Sequence, residues 1–183
     1  ELHEQVPLLK ELLAAMGIPA VEMAGMEADD IIGTLAVRCR DQGLDVVIVS
    51  GDRDLLQLAD ERVLVRIPKT RQGGTVIENY YPDDVRALYG VSPREFIDVK
   101  ALMGDSSDNI PGVPSIGEKT ATAIISAYHS IENAREHLEE IKPPRAKKAL
   151  EEHYDLAVLS KTLATIRLDC PLDFALEQAR LGE

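Results

Sequence analysis

The chain has 183 residues, enough to bury a core and to form one domain or two small ones. A formal net charge of −12 excludes a protein that coats nucleic acid through a general basic surface, and no apolar run approaches the ~20 residues of a membrane span. Two cysteines, Cys39 and Cys170, form no CxxC pair and read as free thiols of a reducing compartment; with no signal peptide visible, an intracellular location is the default.

In chain order, residues 3–16 read as an amphipathic helix with Val6, Leu9, Leu13 and Met16 on one stripe, Pro7 as a candidate true start and Gly17 as the stop. Residues 18–23 suit a short strand. Residues 29–39 suit a helix with Ile31, Ile32, Leu35, Ala36 and Cys39 inward, and Gly43 ends that unit. Residues 44–50 give the clearest strand. Val46 to Val49 are β-branched throughout and apolar on both faces, the pattern of a central strand in a covered parallel sheet. A short helix over 52–58 and a strand over 63–67 follow. Residues 68–74 read as a loop with Lys69, Arg71, Gly73 and Gly74, and 75–77 as a returning hairpin strand.

This alternation predicts an α/β unit with a mainly parallel sheet flanked by helices. From Pro82 onward helical patterns dominate, over 82–89, 93–103, 118–128, 131–138 and 145–165, with Pro143-Pro144 as a break. The boundary is expected near residue 90, with an α/β half over 1–90 and a helical half over 91–183. The chain starts at Glu1, inside a helical pattern, and is read as a piece of a longer polypeptide.

Three short acidic segments stand where a strand or loop hands over to a helix: Glu27-Ala28-Asp29-Asp30, Asp52-Arg53-Asp54 and Asp105-Ser106-Ser107-Asp108. Seven converging carboxylates repel one another unless cations lie among them, and hard cations such as Mg²⁺ or Mn²⁺ take oxygen ligands. Asp52 and Asp54 follow the strongest strand, where open α/β sheets bind ligands. Glu27 and Asp30 share a helix face, which leaves Asp29 to bond the backbone or reach a second metal. Each segment alone has a plainer reading, since acids also favour helix starts through capping and the helix dipole, and Asx-rich turns leave helices. The combination of the three favours a metal-dependent phosphodiesterase site, which needs no His, Cys or Ser nucleophile. The four histidines read as surface helix positions.

Residues 112–120, Gly-Val-Pro-Ser-Ile-Gly-Glu-Lys-Thr, imitate a phosphate-binding loop with one residue inserted. No strand precedes them, Pro114 removes a donor, and Glu118 adds an anion, so that match fails. They fit a tight glycine hairpin between two helices, whose second helix begins near Glu118 with outward amides able to hold a nucleic-acid phosphate, assisted by Lys119. A purely structural helix–turn–helix is the alternative. Lys142, Arg145, Lys147 and Lys148 follow among flanking glutamates, as an extension of that contact or a solvated mixed-charge face.

The blocks Met26-Glu-Ala-Asp-Asp-Ile-Ile-Gly, Val49-Ser-Gly-Asp-Arg-Asp-Leu-Leu and Lys100-Ala-Leu-Met-Gly-Asp-Ser-Ser-Asp-Asn-Ile-Pro-Gly-Val-Pro-Ser-Ile-Gly-Glu-Lys-Thr-Ala closely resemble the 5′-nuclease domains of bacterial DNA polymerase I, of the structure-specific 5′-nuclease (flap endonuclease) superfamily. The resemblance runs the length of the chain. It implies a PIN-like α/β core with a helical helix–three-turn–helix subdomain, and 5′→3′ hydrolysis of DNA flaps and RNA primers in replication and repair by two Mg²⁺ or Mn²⁺ ions. Glu27, Asp29 and Asp30 would serve one metal, Asp52 both, and Asp54, Asp105 and Asp108 the second, with Asp52, Asp54, Asp105 and Asp108 as the catalytic set. Gly112, Val113, Ser115, Ile116, Gly117, Lys119 and Thr120 would grip duplex DNA, with a K⁺ ion on the loop carbonyls.

The resemblance also implies a bacterial, cytoplasmic, nucleoid-associated monomer with a polymerase domain in the same parent chain and no membrane partner. Further aspartates and a basic helical arch of the family have no counterpart after Glu1, so weak or no cleavage by this chain alone is expected. Two rivals remain at this stage: a non-catalytic duplex-DNA-binding module acting through the hairpin, and a ribonuclease of the PIN-like acidic fold.

Overall fold

Four β-branched residues in a row make strand β1, Val46–Val49, but the sheet it enters covers it on one face. The computed structural model describes residues 2–71 and 74–180. β1 pairs in parallel with β2 (Val63–Arg71), Val46 opposite Val63. β2 pairs antiparallel with β3 (Gly74–Tyr80), Val65 opposite Tyr80, giving the order β1-β2-β3. Ile48 points into the core while Val47 and Val49 stay 52% and 66% exposed. The expected doubly covered central strand is therefore, among the described residues, an edge strand with one bare face. Two-faced apolarity reports what a strand can bury, not what lies against it.

The hairpin is longer than its sequence suggests. Residues 68–71, read above as loop, continue β2, and β3 spans more than 75–77. Past Arg66, β2 has left β1 behind and is flanked only by β3, so Pro68 occupies an edge position where a missing N–H is tolerated. Gly73 lies outside the described residues.

Helix α1 (Leu2–Ala15) contains Pro7 rather than starting there, and Gly17 ends it with φ +72°. Val6 and Leu9 of this helix, and Met16 just after it, are exposed. The strand expected over 18–23 is absent; those residues find no partner strand, and Val21 and Met23 pack beside Ile31 instead. Helix α2 (Ala28–Asp41) buries Ala36 against the sheet core, Ile31 against Cys170 and Leu172 and, unexpectedly, Gly33 and Thr34 as well.

Six helices follow: α3 (Pro82–Tyr89), α4 (Pro93–Met103), α5 (Glu118–Tyr128), α6 (Ile131–Glu136), α7 (Pro144–Glu152) and α8 (Tyr154–Ala164). A capping box starts α4: Glu95 N–H donates to Ser92 Oγ at 3.4 Å and Ser92 N–H donates to Glu95 Oε2 at 2.7 Å. The single helix expected over 145–165 is two, broken at His153. The break lets α7 bury Ala149 and Leu150 while α8 turns Ala157 and Ser160 inward. A continuous apolar period cannot reveal such a change of axis.

α4 is the central helix. Its Phe96, Val99, Ala101 and Leu102 join Ile124 and Ile125 of α5, Ile131 of α6 and Leu150 of α7 in one core. A second core gathers Ile48, Leu55, Leu56, Val63, Val65 and Val85. After α8 the chain returns to the first half. Cys170 N–H donates to Thr34 Oγ1 at 3.1 Å, and Arg38 donates to the carbonyls of Cys170 and Leu172, each at 3.0 Å. The absence of a side chain at Gly33 admits this strap, since a Cβ there would lie 2.8 Å from Ile166 and Leu168.

The turn after α4 depends on a backbone crossing. Gly104 and Gly112 have φ of +73° and +63°, and Val113 N–H donates to Leu102 O at 2.8 Å. A Cβ on Gly112 would meet the Gly104 nitrogen at 2.4 Å. Gly112→Ala is therefore expected to cost about 3 kcal/mol, seen as a lower urea midpoint with unchanged slope. Gly117→Ala, at an ordinary φ of −96° with nothing within 4 Å, should cost less than about 1 kcal/mol in the same measurement.

Candidate metal centre

The first acidic segment lies at the N-terminus of α2. Glu27 is the N-cap residue, yet its side chain makes no capping hydrogen bond, so capping does not account for it. The second follows β1, where Asp52 Oδ1 accepts the N–H of Asp54 at 2.9 Å and Asp54 opens a short 3₁₀ helix, Asp54–Leu58. The third hangs from the end of α4. Asp105 and Ile110 exchange backbone hydrogen bonds of 2.9 and 2.8 Å, Asn109 takes φ +56°, and Asp105 Oδ1 accepts the N–H of Ser107 at 2.9 Å. That closed loop displays Asp105 and Asp108.

Tertiary structure brings Asp54, Asp105 and Asp108 together, with one carboxylate oxygen of each within 4.8 Å of the others. Two cavities meet there. One, of ≈ 490 Å³, reaches from Asp52, Asp54 and Asp108 towards Tyr89, Phe96 and Glu118. The other, of ≈ 120 Å³, is lined by Glu27, Asp29 and Asp30 as well as Asp52, Asp54 and Asp108. All seven carboxylates thus line one or both of two cavities that share Asp52, Asp54 and Asp108. Histidine lines neither cavity among the described residues.

The first segment is sorted differently from its helical spacing. Asp30 Oδ1 accepts the N–H of Arg167 from the strap at 2.8 Å, so it is Asp30 that bonds the backbone. Asp29 instead faces the other acids. Partial burial, then the charges of Asp52 and Asp54, push its carboxyl up to about 6. Of the two roles the helical spacing left to Asp29, bonding the backbone falls to Asp30, because the strap, invisible to local periodicity, brings the Arg167 N–H there.

Lys100 is the functional residue that sequence reasoning did not single out. It sits on α4 with its side chain 6% exposed, and its ammonium hydrogen-bonds Asp54 and lies 2.7 Å from Asp105. Burial alone would lower its pKa, but the two carboxylates outweigh this and hold it above the usual lysine value. The bond from Lys100, with those from Ser107, holds Asp105 well below the carboxylate range. Burial pushes the Asp54 carboxyl up from its ordinary value, and Lys100 offsets this only in part. A lone lysine in an apolar helical run, five residues before Asp105, was the available signal.

The donor set fits a hard divalent cation: oxygen-only, several charges in excess of the one lysine, and one member, Asp108, exposed to solvent. Lys100 answers Asp54 and Asp105 from the buried side, which leaves the solvent side for a cation.

The hairpin has two kinds of residue. Gly112, Val113 and Ile116 are buried, and the valine and isoleucine belong to the helical core, so they hold the turn and offer no side chain to a ligand. Ser115, Gly117 and Lys119 are exposed and Thr120 is half-buried. Gly117 caps α5 with its N–H groups unobstructed by any side chain of its own.

Family models match both parts of the chain: "5′-3′ exonuclease, N-terminal resolvase-like domain" over residues 1–90 and "5′-3′ exonuclease, C-terminal SAM fold" over 91–183. Among similar proteins, DNA polymerase I of Bacillus caldotenax is 51% identical over 97% of this chain and 20% of its own length. That of Bacillus subtilis is 48% identical over 94% and 19%. The chain thus spans about a fifth of the length of these curated relatives. T5 5′-exonuclease with bound zinc aligns at TM-score 0.67 and 25% identity, covering 80% of this chain and 52% of that one. The catalytic core of Rad2 in complex with DNA shares the fold at TM-score 0.58 and 18% identity, over 91% and 56%.

Two outcomes are expected without added metal. Lys100→Met leaves two carboxylates facing each other in a half-buried site and should cost about 3 kcal/mol in urea unfolding. Asp29 binds its proton more tightly folded than unfolded, so its contribution is present at about pH 4 and lost as pH rises through about 6. Asp29→Asn should therefore stabilise the chain in EDTA at pH 7.5, with the gain shrinking towards pH 5. Urea melts at the two pH values check it.

Proposed function

Because the chain belongs to the 5′-3′ exonuclease family, we propose that it carries the metal-dependent phosphodiesterase site of a structure-specific 5′-nuclease, acting on DNA with a 5′ flap or nick and on RNA primers. The observation that carries this reading is the meeting of Asp54 with Asp105 and Asp108, residues some fifty positions apart in the chain. Hydrolysis of a phosphodiester requires charge compensation at both the attacking and the leaving oxygen, which a pair of Mg²⁺ or Mn²⁺ ions supplies when bound. In this reading Asp54, Asp105 and Asp108 hold one ion, Glu27, Asp29 and Asp30 contribute to the other, and Asp52 stands between the groups.

Lys100 anchors Asp54 and Asp105 in register, so the carboxylates need not reorganise for substrate. The ≈ 490 Å³ cavity beside them has room for a nucleotide, with Tyr89 and Phe96 on its apolar side. The exposed part of the hairpin, Ser115, Gly117, Lys119 and Thr120, faces the duplex backbone in this reading. The buried part, Gly112, Val113 and Ile116, sets the turn, and K⁺ on its carbonyls belongs to the same proposal. The division near residue 90 into an acidic α/β half and a helical nucleic-acid-binding half is supported by the two separate cores. A polymerase domain in the same parent chain and a bacterial cytoplasmic, nucleoid-associated setting are proposed from the relatives.

A duplex-binding module without cleavage is the second reading, favoured by the exposed, unobstructed start of α5 at Gly117. The two separate cleanly. Mn²⁺ at a hundred times its Kd should stabilise the chain by about 2.7 kcal/mol, read as a rise in thermal midpoint. Asp105→Asn and Asp108→Asn should remove most of that rise, and Lys119→Ala should leave it intact while weakening duplex binding. No Mn²⁺-dependent rise in the unsubstituted chain would refute the metal site.

A further inference from the structure

The four basic residues around the start of α7 do not act alike. Lys147 lies 2.7 Å from Glu139 and Lys148 lies 3.6 Å from Glu152, so a carboxylate answers each of those charges. Arg145 turns elsewhere. Its Nη2 donates to Ser115 Oγ at 3.0 Å, thirty residues back, on the exposed turn of the glycine hairpin. A hydroxyl carries no charge, so the guanidinium keeps its full positive charge, with four of its five donors unused by this bond. Both residues are exposed.

The turn under Arg145 is firmly built. Ser115 holds a left-handed φ of +71° between buried Val113 and buried Ile116, and Ile116 N–H closes the turn on Val113 O at 3.1 Å. Two residues further on, Gly117 caps α5, and Lys119 is exposed in the first turn of that helix. The acid of that turn, Glu118, lines the cavity beside Asp108. A cation from α7 is thus pinned to the same rigid turn that leads to Lys119. The hydrogen bond sets the guanidinium beside the turn, and its planar fork suits a phosphate.

We propose that Arg145 is a nucleic-acid-contacting residue outside the hairpin itself. It grips a backbone phosphate of the duplex beside the one held near Lys119, and so extends the contact from the hairpin onto α7. This deepens the reading given under Proposed function and rests on it. Ser115 is then a positioning residue, acting through Arg145.

The test is the salt dependence of binding. A fluorescein-labelled blunt DNA duplex is titrated with the chain in EDTA, so that nothing is cleaved, at KCl concentrations from about 50 to 200 mM, a range over which phosphate contacts are strongly salt-sensitive. Loss of one phosphate contact lowers the slope of log K against log salt by about 0.9. Arg145→Ala should show that drop. Arg145→Lys keeps the charge and should retain the slope. Ser115→Ala should weaken binding at an unchanged slope. Lys147→Ala, whose charge is already answered by Glu139, should leave the slope alone.

An unchanged slope in Arg145→Ala overturns the proposal, as does an equal drop in Lys147→Ala, which would mean a general loss of positive charge. If Lys119→Ala lowers the slope and Arg145→Ala does not, the hairpin reading stands and this inference alone fails. If neither variant changes binding, or the unsubstituted chain does not bind the duplex, both fail. Thermal melts of each variant establish that the fold is retained.

Discussion

One buried ammonium ties the two halves of this molecule together. Lys100 reaches from α4 to Asp54 at the end of the sheet and to Asp105 in the loop beyond its own helix. A charge that is 6% exposed is tolerated only while its partners remain in place. Two residues earlier on α4, buried Asp98 makes the opposite demand: it accepts the N–H of Ile131 at 3.0 Å and lies 2.7 Å from Lys161 of α8. The central helix is therefore fixed in rotation by a cation on one side and an anion on another. Turning it by one residue strands both.

The loop after α4 extends this constraint into the hairpin. Asp105 and Ile110 close it, and the Gly104–Gly112 crossing presses its two ends together. Gly112 N–H is further held by the buried Ser160 hydroxyl of α8 at 2.9 Å. The acids and the turn that follows them are one packed unit, so their separation is fixed by hydrogen bonds and backbone packing.

The seven carboxylates are unequal, and the strap after α8 is a main reason. It takes Asp30 for the Arg167 N–H and lies over Gly33, which leaves Asp29 to share the cavity with Asp52 and Asp54. Repulsion among those three is part of what raises Asp29. Asp105, surrounded by donors, is shifted the opposite way. Similar residues thus differ in how tightly they hold a proton, Asp29 through burial and the acids of another segment and Asp105 through its near neighbours Lys100 and Ser107.

The amino-acid sequence by itself determined the helices with clear punctuation: Pro82 to Tyr89, Pro93 to Met103 and Glu118 to Tyr128 begin and end where proline, glycine and capping residues place them, because those signals act within one turn. It also marked every member of the acidic set, since carboxylates at strand and helix ends are visible locally. It could not show that β1 has a bare face, that 145–165 is two helices or that 18–23 meets no partner strand among the described residues, because each depends on what lies opposite. Lys100 escaped for the same reason. In an apolar helix a lysine reads as an exception, and only the approach of Asp54 and Asp105 in space makes it the residue that organises the site. Burial, charge pairing and the division of labour between Asp29 and Asp30 are long-range consequences of packing, and those the tertiary structure alone decided.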